Sequence, residues 1–179
     1  MDIQSHEPRE RIALLRHYLS DFIYGANDGI ITTFAVVSGV MGAALEPRIV
    51  VILGLANLLA DGFSMGASNF LSIRSDEAAR QADGRESVEP FPFRHAVVTF
   101  LAFVVVGFVP LLSYVTHIGP SAFTIAVALT LATLFAVGAA RATVTNRGWL
   151  VSGLEMLIIG ALAAAVSYGV GALVAPLTQ

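Results

Sequence analysis

The chain has 179 residues, 56% of them hydrophobic and only 13% charged, with a mean hydropathy of +0.76. Soluble domains carry roughly 25% charged residues, so this composition excludes an ordinary soluble domain and points to membrane spans. Cysteine is absent, which excludes disulfides, thiolate metal sites and cysteine nucleophiles. The formal net charge of -3 says little about partners, because the charges are segregated along the chain.

Residues 1–20 are polar and carry Arg9, Arg11 and Arg16 without an apolar core. With no hydrophobic region followed by a small-residue cleavage site, this segment does not read as a signal peptide. The run IALLRHYL is expected to form a short amphipathic helix on the membrane surface. Next comes DFIYGANDGIITTFAVVSGVMGAAL, residues 21–45. From 22 to 45 it has the length and apolarity expected of a first span, about twenty residues being required. Asp28 lies inside it, and a carboxylate within a membrane helix costs ~2.5 kcal/mol or more, so it marks function. Asp21, Gly25, Thr32, Ala35 and Gly39 share its face at helical spacing. That small and polar stripe is expected to face protein, water or an ion, while Ile23, Ile30, Phe34 and Val37 fall elsewhere.

Glu46-Pro47-Arg48 reads as a tight turn into a second span over about 49–73. Residues 74–90, RSDEAARQADGRESVEP, read as the one sizeable loop, and three further spans follow at about 94–116, 121–142 and 149–174. Five spans leave no room for a separate soluble domain, so the division is a 1–20 N-terminal segment and a 21–179 transmembrane domain with a loop at 74–93. Every basic residue is Arg, and the arginines orient the spans. Arg9, Arg11, Arg16, Arg74, Arg80, Arg85, Arg94, Arg141 and Arg147 fall on one side, and Arg48 alone on the other. The N-terminus is therefore expected in the cytoplasm and the C-terminus outside.

The second span carries Asn57, Asp61, Met65 and Asn69 at intervals of four, with Ser64, Ser68 and Ser72 alongside. Four-residue spacing puts them on one slowly drifting face. Ser64, Ser68, Ser72 and Asn69 read as hydrogen-bonding glue between helices. Asp61, like Asp28, reads as part of a pathway, because ionisable groups inside spans usually mark one. Beside two carboxylates, the Met65 thioether becomes a soft ligand suited to transition metals rather than Mg²⁺ or Ca²⁺. Gly62-Phe63-Ser64-Met65-Gly66 matches the G-x-S-x-G nucleophile pattern. That motif needs a strand-to-helix turn and a histidine base, whereas here it lies mid-helix with His6, His17, His95 and His117 at or beyond span ends. Its glycines, like Gly25 and Gly29, read as close-packing positions. No H-E-x-x-H, Walker A or dinucleotide fingerprint is present.

DFIYGANDGIITTFAVVSGVMGA followed by GLANLLADGFSMGASNFLSIRSDEA resembles the vacuolar iron transporter family, in its short, nodulin-like branch. GFVPL at 107–111 and GLEMLIIGALAAAVSYGVGALV in the last span agree with it. The resemblance implies a five-helix homodimer that moves Fe²⁺, and often Mn²⁺, out of the cytosol in exchange for protons. It places the ion path along the dimer interface, lined by the first helix. Carried over by position, the family's first-helix aspartate matches Asp28 and its second-helix methionine matches Met65. A glutamate of the iron-transporting members aligns with Asn57, and a carboxylate of the first helix's opening turn aligns with His17. The long glutamate-rich insert of the plant transporters is replaced by residues 74–90, whose Asp76, Glu77, Asp83, Glu86 and Glu89 read as a solvated charged loop.

The expectation is an all-α membrane protein with five transmembrane helices, acting as an Fe²⁺/Mn²⁺ exporter by proton antiport and not as an enzyme. Asp28, Met65, Asp61 and Asn57 are the expected metal ligands, and Asp21, His17 and Thr32 belong to the proton or ion pathway. No tightly bound cofactor is expected, Fe²⁺ or Mn²⁺ being substrate. Its partners are a second copy, the bilayer and divalent ions, not nucleic acid. Its site is the inner membrane in a bacterium, or a vacuolar or other endomembrane in a eukaryote. The alternative is a non-transporting membrane-embedded binding or assembly subunit.

Overall fold

A computed structural model describes residues 11–116, 119–145 and 147–177, with side chains for all of these except 11–16, 144 and 145. His6 and His117 lie outside the described residues. The fold is all-α: α1 (Arg11–Gly42), α2 (Pro47–Ala82), α3 (Pro92–Gly107), the short α4 (Leu112–Thr116), α5 (Ala122–Thr145) and α6 (Trp149–Val174). Pro47 and Pro92 sit in the first turns of α2 and α3, where the missing N–H removes nothing from the helix. A 3-10 turn, Val109–Leu111, joins α3 to α4. Pro110 cannot donate to the ladder there, and the helix is interrupted at the residue where the donor is missing.

Two helix ends are closed by the same device. Leu45 N–H bonds to the Val40 carbonyl and Ala44 N–H to that of Met41, with Ala44 at φ 54. Arg85 N–H bonds to the Arg80 carbonyl and Gly84 N–H to that of Gln81, with Gly84 at φ 70. Both are Schellman closures, which need one left-handed residue; glycine takes it without strain at the second and alanine is forced into it at the first.

α1 is the centre of the bundle, packed against α2, α3, α5 and α6, while α2 pairs with α3 and α5 with α6. Ile23, Ala26, Ile30, Phe34, Val37 and Val40 of α1 are all buried. The apolar residues that the stripe reading set aside are thus the ones facing the core. Asp21, Asp28, Thr32, Ala35 and Gly39 are half-buried at its margin.

Among the described residues, four segments are long and apolar enough to cross a membrane: Pro47–Ala82, Pro92–Thr116, Ala122–Thr143 and Trp149–Leu177. α1 is not one of them. Asn27, Asp28, Thr32, Thr33 and its glycines lower its mean hydropathy, and α1 packs against α2, α3, α5 and α6. The proposed surface helix at IALLRHYL is not separate either, since α1 runs unbroken from Arg11. Likewise α2 continues through the expected loop as far as Ala82.

Helices in lipid gain nothing from hiding apolar surface, so close backbone approach must hold them together. A Cβ on Gly29 would collide with the Phe103 carbonyl of α3, and one on Gly171 of α6 with the Gly39 carbonyl of α1. The Ser167 hydroxyl adds a hydrogen bond to the Ala35 carbonyl at 2.5 Å. Gly25 and Gly29 are therefore close-packing positions against α3, and Gly39 lies against Ser167 of α6.

Candidate functional site

α1 carries His17, Asp21, Asp28 and Thr32 at spacings of four, seven and four, so all lie along one helical face. Each is half-buried. At the level of Asp28 the neighbouring polar surface comes from α2. Asp61 of α2 is half-buried like Asp28, on a helix packed against α1. Asn57 is one turn before Asp61, and its Nδ2 is buried without a hydrogen-bond partner. An N–H cannot ligate a cation, so only the carboxamide oxygen can serve. The Thr32 hydroxyl donates to the Asp28 backbone carbonyl at 2.8 Å, leaving the Asp28 carboxylate to other partners. Met65 is half-buried and packs against the apolar cluster that holds Phe34, Leu58 and Phe103.

The G-x-S-x-G stretch is continuous helix, with Ser64 exposed and Gly62 and Gly66 pressed against Phe100, Phe103 and Ala96 of α3. That is a packing motif. Ser68 and Ser72 are exposed like Ser64 and bond to no other helix among the described residues. Asn69 does: its Nδ2 donates to Asp21 Oδ1 at 2.9 Å and to Thr99 Oγ1 at 2.8 Å, tying α2 to α1 and α3.

Asp21 opens a second cluster at the N-terminal end of α1. Its other oxygen accepts from His95 Nδ1 at 2.6 Å. His95 Nε2 faces Glu89 Oε2 at 3.0 Å, and His17 Nε2 faces the same oxygen at 3.2 Å. Tyr18 lies edge-on to His17 and tilted on His95, with ring centroids 4.8 Å and 4.7 Å away. Sequence reading had placed His17 and Asp21 on a pathway but passed over His95 as a span-end residue and Glu89 as solvated. His95 is buried and Glu89 half-buried.

Glu89 reaches this position because Glu77 folds the connection back. The Glu77 carboxylate, buried at the end of α2, accepts the backbone N–H groups of Val88 at 3.0 Å and Glu89 at 2.8 Å. The Ser87 hydroxyl, then the Glu89 N–H, hold its carboxyl below the usual range. Two of the five acids assigned to a solvated loop are therefore engaged within the chain, while Asp76, Asp83 and Glu86 remain exposed. In α6, half-buried Glu155 is paired with Arg147 at 2.9 Å and Arg141 at 3.5 Å. Two opposite charges beside it account for a carboxylate in an otherwise apolar helix.

An apolar helical bundle with a half-buried carboxylate on its central helix, another on the helix packed against it and an imidazole–carboxylate cluster at one end belongs to the class of membrane proteins that handle cations. The VIT family model matches residues 19–89 and 81–172, and the chain belongs to that family. It is 33% identical to vacuolar iron transporter homolog 1 of Oryza sativa subsp. japonica, over 86% of this chain and 72% of that protein. It is 31% identical to vacuolar iron transporter homolog 4 of Arabidopsis thaliana, over 85% of this chain and 81% of that one. Similarity to the vacuolar iron transporter of Plasmodium berghei (strain Anka) is 26%, covering 92% and 85%. That last alignment runs over 232 positions, more than this chain possesses, so the relative carries residues this chain lacks. The two pieces of the family match overlap at 81–89, within the polar connection that precedes α3.

Proposed function

We propose that this chain transports ferrous iron, with Mn²⁺ as a second substrate, out of the cytosol in exchange for protons, and that it does so as a homodimer with five spans per chain. Two half-buried acids, Asp28 on α1 and Asp61 on the α2 packed against it, carry the reading. Two carboxylates in an apolar bundle are costly unless a cation or a proton offsets them. Membership of a family whose relatives are named iron transporters supports the same substrate. The half-buried margin of α1 is polar in a bundle otherwise clad in exposed Leu, Ile, Val and Phe, and a second copy would keep it from lipid. The Arg bias, nine to one, supports a cytoplasmic N-terminus. α1 then crosses inside the bundle and the protein is multi-pass.

Proteoliposomes with an internal Fe²⁺-quenched dye test this directly. With an outward-directed proton gradient, wild type should load the vesicles with Fe²⁺, and Asp28→Asn, which keeps shape and removes charge, should fall to the level of empty vesicles while eluting as wild type. Undiminished uptake by that variant overturns the assignment of Asp28.

A further inference from the structure

We propose that His17, Glu89 and His95 form a separate binding site for one first-row divalent cation of the Fe²⁺, Co²⁺ or Zn²⁺ type, apart from the Asp28–Asp61 region. The donor set is two imidazoles and a carboxylate, one from α1, one from the connection after α2 and one from the first turn of α3. Imidazole suits Fe, Co, Ni and Zn, whereas Mg²⁺ and Ca²⁺ prefer all-oxygen shells.

Geometry supports it. A cation with bonds of about 2.1 Å holds neighbouring ligand atoms roughly 3.0 to 3.4 Å apart. Glu89 Oε2 lies 3.0 Å from His95 Nε2 and 3.2 Å from His17 Nε2. No pair of the three ligand atoms is more than 4.8 Å apart, so the remaining gap, between the imidazoles, closes with a small turn of the half-exposed His17 ring. Three protein ligands leave coordination positions open, as a site that must release its ion requires.

The surroundings orient the ligands as metal sites do. Asp21 accepts from His95 Nδ1, which in the neutral ring leaves the Nε2 lone pair aimed at Glu89, the carboxylate–histidine arrangement that sets a ligand's tautomer. Asn69 holds Asp21, Tyr18 braces both rings, and Glu77 holds the backbone of Glu89. Asp28 is seven residues beyond Asp21 on α1, roughly 10 Å along the axis, so the two places are distinct.

The test uses intact protein in detergent carrying Asp28→Asn, so that neither transport nor the mid-bundle carboxylate pair is needed for a signal. Co²⁺ is the probe, because its visible absorption reports nitrogen ligands. One Co²⁺ per chain should bind, with affinity falling at least about tenfold when His17→Ala, Glu89→Gln or His95→Ala is added, at unchanged helix content. Zn²⁺ should displace it and Mg²⁺ should not. Should His95→Ala fail to fold, His17→Ala on the half-exposed rim keeps the test decisive. Equal Co²⁺ affinity in the folded variants, no binding by the folded parent, or displacement by Mg²⁺ as readily as by Zn²⁺ would overturn the proposal.

Discussion

The carboxylate of Glu77 accepts the backbone N–H of Glu89 at 2.8 Å, across a separation of twelve residues. That bond turns a hydrophilic connection into a fixed strap and delivers the Glu89 side chain to two histidines on other helices. One acid holds the backbone of the other, whose side chain faces both imidazoles.

Glu77→Gln should therefore loosen residues 87–89 without unfolding the bundle. Amide exchange at Val88 and Glu89 should accelerate, measured by mass spectrometry, while exchange in α3 stays slow. The pH dependence follows from the sign of the shift. The Glu77 carboxyl is held below its ordinary value of 4.5, so its stabilisation is complete above that pH and is lost as pH falls through the lower native value. Protection of those two amides should decline only in that acidic window in wild type; a decline near neutrality would contradict it.

Two mid-helix glycines should respond differently. A Cβ on Gly29 meets backbone of α3, which cannot turn aside as a side chain can, whereas one on Gly169 meets nothing within 4 Å. Gly29→Ala should cost about 1–3 kcal/mol by overpacking, seen as a lower midpoint of thermal unfolding in detergent. Gly169→Ala should be neutral or stabilise by up to about 1 kcal/mol through helix propensity. Equal midpoints for the two variants would show that α1 and α3 are not in close contact.

Asn57→Glu adds a charge one turn from Asp61. A divalent ion there would be more fully neutralised, so binding should tighten and depend more steeply on pH, because metal and proton compete for one more carboxylate. Isothermal titration with Mn²⁺ at two pH values reads both effects. Met65→Leu at the same site distinguishes ligand from filler: a thioether ligand predicts a larger loss for Fe²⁺ than for Mg²⁺, and equal losses would leave Met65 only its packing against the Phe34–Leu58–Phe103 cluster.

Orientation is testable without background, since the chain has no cysteine. Thr116 and Gln81 are both exposed, one at the end of α4 and the other in the last turn of α2. Single cysteines at these positions should react with a membrane-impermeant maleimide from opposite sides of sealed vesicles. Labelling of both from one side would refute the orientation drawn from arginine.

The sequence by itself determined what depends on near neighbours along the chain. Composition and long apolar runs made it an all-helical membrane-type protein, and spacings of four put Asp28 with Thr32 and Asn57 with Asp61 and Met65. The quoted motifs of the first two spans carried the family. Only the tertiary structure decided which face of α1 looks inward: Ile30, Phe34 and Val37 take the core and the polar stripe is left at the margin. It also decided where Gly29 and Gly39 are used. The His17–Glu89–His95 cluster was beyond reach of any spacing rule, because its contacts join Glu89 to residues 72 and 6 positions away and a helical repeat relates only residues three or four apart. A histidine at a span end and a glutamate in a charged connection look solvated until the Glu77 strap and the convergence of α1, α2 and α3 bury the one and half-bury the other.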